Sequence, residues 1–450
     1  MVGFLGMKRV IRYITSASTL GLAFLSAVAL SLVVSKSQNE PLLQVNSSRA
    51  PVFEKARRSY DFVNSVGVNT HLNYFDCLYG NFPLVERELE SVGIRHLRDG
   101  VHLQNPDYNR SVYGRWIELG KSGARFDAVV DPRSSLPPLT PPLLAEVDAL
   151  AGQTIESFEG PNELDISKMD NWAVVDRSFQ EQLFKSAREM PGVRPITVIG
   201  PSLAFVRNGS SVGDLSDRVD EINLHPYPAG KMPSIVFPEQ TDVAKMMSSS
   251  KPIVFTETGY HNAVNDHHDQ PAVSEAAAAK YVPRLFLEDF VRGIQRTYLY
   301  EFMDEKADPE LGDNQQHWGL IRADGSEKPA FTALKNLIAE LQDLNTPAPA
   351  QQLSWSINSS NSSVHHLLLQ KANGNLDLVL WQEVPSYDYR KQVDVRNTSE
   401  SAVLTLGQKA RNVTLFEPSV QAKPLQSYTE VVKVPLEIPD SPLVVEIALR

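Results

Sequence analysis

Between Val66 and Leu341 short apolar runs alternate with stretches whose apolar residues recur at helical spacing, the pattern of repeated strand–helix units building a parallel sheet. The runs fall at residues 67–71, 94–99, 126–131, 155–159, 196–200, 221–225, 253–257 and 297–302, which predicts eight strands. Eight such units fit a (β/α)8 TIM barrel, whose usual size is about 250 residues. A doubly wound open sheet is the rival, but it normally carries a glycine-rich phosphate turn after its first strand, and neither GxGxxG nor GxxxxGK[ST] occurs in the chain. The intervening patterns support helices. Leu84, Val85, Leu89 and Val92 share one face, with Gly93 as a stop signal. Over 274–292 an alanine run leads into Tyr281, Leu285, Phe286 and Phe290, with an expected kink at Pro283.

After a last helical pattern at 329–341, residues 345–350 read as a linker and the period changes to two. Strands are predicted at 364–370, 376–383, 402–406, 413–417, 429–434 and 443–448, a small all-β sandwich beside the barrel, with 42–45 offering it a further strand. The predicted organisation is therefore a leader over 1–40, a barrel over 50–344 and a β-sandwich over 351–450. In the leader, Lys8, Arg9 and Arg12 precede an uncharged apolar stretch at 13–34, long enough to span a bilayer and rather long for the core of a signal peptide. A cleaved signal and a single retained membrane anchor both stay open. Either way the basic flank remains cytoplasmic and the rest of the chain is exported.

Composition narrows the partners. A net charge of -11 argues against nucleic acid, which rewards a basic face. The single Cys77 permits no internal disulfide, and no Cys/His spacing predicts a metal site; no cofactor is expected. The loop at 261–270, with His267, His268 and Asp269, lacks regular ligand spacing and reads as polar loop. Asn46, Asn109, Asn208 and Asn397 head glycosylation-type triplets that suit an exported chain. Oligomeric state is not legible.

The chemistry concentrates at strand ends. In a parallel barrel every strand delivers its C-terminal residue to one face, so Glu163, just past strand four, and Glu257, closing strand seven, meet over one pocket. One carboxylic acid that protonates a departing oxygen, with one carboxylate that attacks or activates water, is the equipment for glycosidic hydrolysis. Neighbouring strand ends add Asn162, Arg98, His225, Tyr227 and, beyond strand eight, Trp318. An Arg and a Tyr beside one carboxylate keep it ionised, and an indole face offers a floor for a sugar ring. Each also has a plainer reading, as a buried imidazole, a barrel salt bridge or core packing. Asp304 and Glu305 read as solvated loop charges at the mouth, with a sugar-hydroxyl contact as the alternative.

The runs Gly160-Pro161-Asn162-Glu163, His225-Pro226-Tyr227, Thr256-Glu257-Thr258-Gly259 and His317-Trp318-Gly319-Leu320 resemble clan A of the glycoside hydrolases, (β/α)8 enzymes often trailed by a β-sandwich. The resemblance implies Glu163 as general acid/base, Glu257 as nucleophile and Asn162 on the sugar 2-hydroxyl. It further implies Arg98 and Tyr227 supporting Glu257, His225 lining the subsite, Trp318 under the ring, and retention of anomeric configuration. The chain departs from many clan members in placing Leu164, not proline, after Glu163, so the family within the clan stays open. The expected function is an exported retaining β-glycosidase acting on poly- or oligosaccharides. The alternative is a carbohydrate-binding protein that keeps the fold without turnover.

Overall fold

The computed structural model describes residues 51–134, 136–267, 270–343, 349–359 and 361–450. The leader, the strand expected at 42–45, the Asn46 triplet, His268, Asp269 and most of the linker lie outside the described residues.

All eight predicted barrel strands are present: β1 (Val66–Asn69), β2 (His96–Gly100), β3 (Arg125–Val129), β4 (Ile155–Glu159), β5 (Thr197–Ile199), β6 (Ile222–Leu224), β7 (Ile253–Thr258) and β8 (Thr297–Leu299). They pair in the order β5-β4-β3-β2-β1-β8-β7-β6, every pair parallel. A parallel bridge between Ile199 and Glu221 joins β5 to the start of β6 and closes the ring. Each strand is followed by at least one helical segment. Those at Phe82–Val92, Glu275–Val291 and Pro329–Leu341 lie where the apolar spacing predicts them. Gly93 stops the first with φ 81°, a left-handed conformation that glycine adopts without a Cβ clash. Ser274 caps the second by accepting from the Ala277 N–H.

Most helices bury their apolar faces against the outside of the ring in a core that includes Leu89, Val92, Leu285, Phe286, Leu334 and Ile338, and the helix Phe237–Met247 forms a second with Val243, Ala244 and Met247. Inside the ring a layer is polar. Asn69, Arg98, Asp127, Ser157, Glu159, Asn223 and Thr256 are all buried. Burial of so many polar groups is tolerated only where they bond one another, and their mutual bonding is what fixes the site above them.

The C-terminal module is an antiparallel sheet with its own core of Leu353, Trp355, Leu378, Leu380, Leu404, Val434 and Ile447. Two expectations need correction. The strands foreseen at 402–406 and 413–417 are one continuous strand, Glu400–Phe416. Its first part pairs with Gln352–Ile357 and its second with Leu443–Leu449, while Gln426–Ile438 pairs along both with a register shift between Thr405 and Ala410. Second, Val52–Lys55 and Arg57–Arg58, placed by the sequence reading in the barrel segment, pair with Gln352–Ile357 and Val364–Gln370 of this sheet. Val364–Gln370 and Leu376–Gln382 are buried at every position because one face enters the sandwich core and the other, through Leu367, Leu369, Val379 and Trp381, joins the barrel core. Arg284 of the helix after β7 reinforces the junction, its side chain fully buried and bonded to Glu383, Ser386 and the Asp440 carbonyl.

Candidate active site

The polar layer rises to one centre, Arg98 on β2. A guanidinium has five N–H donors, and all five are used. Nε and Nη2 bond the two oxygens of Glu159, each at 2.7 Å; Nη1 bonds Glu257 Oε1 at 2.6 Å and Asn69 Oδ1 at 2.8 Å; Nη2 also bonds Asn162 Oδ1 at 2.7 Å. Arg98 thus holds side chains from β1 and β7 and from the end of β4 in one geometry. Glu257 receives a second donor, the Tyr227 hydroxyl at 2.9 Å. Burial pushes the Glu257 carboxyl up, but the His225 and Arg98 charges and the bonds from Tyr227 and Arg98 outweigh it and hold it below the usual range. The ionised form of Glu257 is therefore favoured.

The segment after β4 is fixed in a strained shape. Glu163 sits at φ 49°, a left-handed conformation uncommon for a residue with a side chain. Backbone bonds hold it there: the Glu163 N–H donates to the Ser202 carbonyl at 3.1 Å and the Asn162 N–H to Asp131 Oδ2 at 2.9 Å, while Arg133 links Asp131 to the Asn162 carbonyl. Such strain persists only where surroundings over-determine it, commonly at working sites. It aims Glu163 Oε1 at His225 Nδ1, 2.9 Å away. On the other side of the imidazole, Nε2 lies 2.9 Å from Thr256 Oγ1, whose own hydrogen goes to Asn223 Oδ1 at 2.8 Å. Thr256 therefore accepts, the Nε2 hydrogen is fixed, and Nδ1 is the nitrogen that faces Glu163. Burial lowers the affinity of His225 for a proton, but Glu257 and Glu163 raise it above the ordinary imidazole value.

One donor atom each from Glu163, His225 and Glu257 lies within 4.8 Å of the other two. The nearest oxygens of the two carboxyls thus face each other within 4.8 Å. His71, Glu301 and Glu305 form a second close cluster at the ends of β1 and β8. A third, Glu340, Asp377 and Glu446, is bridged by the Lys371 ammonium.

Of the seven side chains foreseen from sequence, Arg98, Asn162, Glu163, His225, Tyr227 and Glu257 form one bonded network. Trp318 adjoins it through packing on Tyr227, with ring centroids 5.1 Å apart, and also packs on His261 and Tyr300. Only 6% of the residue is exposed, so it presents an edge of the pocket wall. Asp304, read as a solvated charge, is 2% exposed and bonds the Lys328 ammonium and the Gly319 N–H; it ties down the strap that carries Trp318. The sequence reading missed Asn69, Asp127, Glu159, Asn223 and Thr256 beneath the pair, and His71 and Glu301 beside it. Glu159 ends an apolar run just as Glu257 does, and that was the signal available for it.

No family model matches the sequence, and no curated protein does. Solved structures do. A glucosidase from Croceicoccus marinus superposes with a TM-score of 0.60 at 10% identity, covering 92% of this chain and all of that one. A monomeric β-xylosidase from Caulobacter crescentus gives 0.56 at 12%, covering 90% and 98%. The GH39 enzyme from Xanthomonas axonopodis pv. citri gives 0.56 at 12%, covering 91% and 97%. The chain shares their fold over almost its whole length, a TIM barrel followed by a β-sandwich.

Proposed function

We propose that the protein is an exported retaining β-glycoside hydrolase acting on poly- or oligosaccharides. The observation that carries this reading is the opposed pair: Glu257 is held ionised by Arg98 and Tyr227, while Glu163, across the short gap, shares a hydrogen bond with His225. In the first half-reaction Glu257 attacks the anomeric carbon and the glycosidic C–O bond breaks, while Glu163 gives its proton to the departing oxygen. The products are a glycosyl ester on Glu257 and the free aglycone. In the second, Glu163 removes a proton from water, whose oxygen displaces Glu257 and restores both carboxyls to their starting states.

The neighbours have defined parts in this scheme. Asn162 Oδ1 already accepts from Arg98 and Ser202, which leaves its amide hydrogens for the sugar 2-hydroxyl. That bond strengthens as positive charge develops on the ring, so it favours the transition state over the bound substrate. His225 orients Glu163 through Nδ1, with its own ring held by the Nε2 bond to Thr256 Oγ1. Beside the pair, Glu301 bonds His71 and Tyr79 through Oε2, but its Oε1 is buried without a partner. Burial works against a charge on His71, yet the Glu301 carboxylate lifts it to about 9. Tyr74 stacks on His71 with centroids 4.6 Å apart. Fold likeness to a glucosidase and a β-xylosidase supports the substrate class, and the basic-then-apolar leader supports export.

The test is hydrolysis of a panel of aryl β-glycosides by the full chain, with Glu257→Ala and Glu163→Ala beside it. Expected are product release by the parent and none by Glu257→Ala. Glu163→Ala should regain turnover on an activated leaving group when azide is added. A folded parent that binds glycans but cleaves nothing on the panel or on polysaccharides would replace the enzyme with a binding protein.

A further inference from the structure

Beneath the proposed nucleophile the carboxyl groups outnumber the cations. Glu159 and Asp127 are both 0% exposed, and with Glu257 they make three carboxyls around the one guanidinium of Arg98. Glu257 also faces His225 at 3.6 Å, but Glu159 and Asp127 have only Arg98, and two further buried anions on that one guanidinium carry a large desolvation cost, so one carboxyl of the group carries a proton. The donors around each decide which. Glu257 has Arg98 and Tyr227, and Glu159 has the Arg98 fork on both oxygens. Among the described residues Asp127 has only the Ser157 hydroxyl as donor, at 2.7 Å on Oδ1, and its buried Oδ2 has none. The Asp127 carboxyl is within hydrogen-bonding contact of Glu159, a contact that two ionised carboxylates cannot make. The groups facing Asp127 are Arg98 from β2, Ser157 and Glu159 from β4, and the neutral Tyr298 phenol from β8; none adds a second cation.

We propose that Asp127 and Glu159 share one proton, and that Asp127 is thereby a positioning residue for Glu257: its O–H donates to Glu159, which holds the Arg98 fork that in turn holds the nucleophile. This inference rests on the glycosidase reading for its catalytic consequence, but the shared proton does not. With the proton in place Arg98 divides its charge between two anions. Without the O–H, Glu159 loses its lower anchor, the fork is free to shift, and Glu257 follows through a single 2.6 Å bond.

The test pairs spectroscopy with kinetics on the full chain. Asp127→Asn reproduces the protonated acid, with an amide hydrogen for Glu159 and an oxygen for Ser157; Asp127→Ala removes both. Difference infrared spectra at neutral pH should show a protonated-carboxyl band in the parent that Asp127→Asn lacks. Kinetically, Asp127→Asn should keep kcat/KM within about twofold, while Asp127→Ala should lose about tenfold or more in kcat with KM little changed, as expected when a reacting group is misplaced. Absence of the band overturns the proposal, as does an Asp127→Asn enzyme damaged as much as Asp127→Ala. Asp127→Asn keeps the shape of the site and carries the test alone if Asp127→Ala does not fold. Because the spectrum needs no turnover, a band in a protein that cleaves nothing upholds the shared proton and removes the glycosidase reading instead.

Discussion

Replacing Tyr227 by Phe isolates what keeps Glu257 ionised. The substitution removes one hydroxyl that donates to Glu257 Oε2 at 2.9 Å and leaves the Arg98 bond to Oε1 at 2.6 Å in place. The retained ring still packs on Trp318, so the pocket wall keeps its shape. A hydrogen bond to a charged acceptor contributes ~1.5–3 kcal/mol. One pKa unit corresponds to ~1.36 kcal/mol, so the loss should raise the Glu257 carboxyl by about one to two units. Glu257 is nearly buried, which leaves water little part in replacing the bond. The direction is fixed: Glu257 lies below the usual range because of its donors, and removing one favours the protonated form. Attack needs the anion, so the acidic limb of kcat/KM, which reports the free enzyme, should move upward in pH by the same one to two units. The assay is hydrolysis of one aryl glycoside from about pH 3 to 9 by parent and Tyr227→Phe, with the limb fitted separately from the plateau. A lowered plateau with an unmoved acidic limb would refute the electrostatic role and reduce Tyr227 to packing.

Other substitutions probe different links. Glu301→Gln removes the carboxylate charge that lifts His71 and should lower the His71 titration from about 9, followed by NMR; an unmoved titration would show that another group holds the imidazole charged. Arg284→Met leaves the buried Glu383 carboxylate without its cation and should destabilise the protein by about 3–5 kcal/mol, read from the denaturant midpoint. A loss below about 1 kcal/mol would show that the junction stands on its apolar contacts alone. Asp176, buried with neither carboxyl oxygen bonded, is lifted to about 8 by burial and by the Asp165 and Asp131 charges, so the folded state keeps a proton that the unfolded chain releases near pH 4. Stability contributed by that proton is whole below about pH 4 and is lost as pH rises through about 8; Asp176→Asn should therefore match the parent in acid and exceed it at pH 9 by on the order of a few kcal/mol, measured by urea unfolding. Equal stabilities at pH 9 would contradict this.

The barrel was legible because its strands and helices obey different periods and because each strand end is punctuated. The helix Pro329–Leu341 and the strand Val364–Gln370 have the bounds their spacing predicts. Where local pattern and tertiary context diverge, the reading failed in instructive ways. Gly407, Gln408 and Lys409 look like a turn between two strands, yet their backbone continues as one strand because it changes partners there, an arrangement no local signal encodes. Arg57 and Arg58 look like the polar lead-in to a helix. Their pairing with Leu369 and Gln370 spans most of the chain, and a two-residue strand carries too little pattern to announce itself.

The site divides along the same line. Glu163 and Glu257 could be matched from sequence because a parallel barrel converts position at a strand end into position at a pocket, whatever the separation along the chain. The residues beneath them follow no such rule. Asp127, Asn223 and Thr256 sit within β3, β6 and β7, where buried strands of a parallel sheet are normally apolar, and a lone polar residue there reads as noise until its partner on the next strand is known. Register supplies that partner: Asp127 lies opposite Arg98 on one side and Ser157 on the other, and Asn223 opposite Val254, two residues from Thr256. Once the strands are aligned, partners appear on the next strand or, as for Arg98 with Glu159 and Glu257, across the ring, and Arg98, with more donors than any other member, becomes the centre. The lower layer was therefore hidden for the same reason that it works. Its chemistry resides in pairs across the ring, and no member of a pair has a role alone.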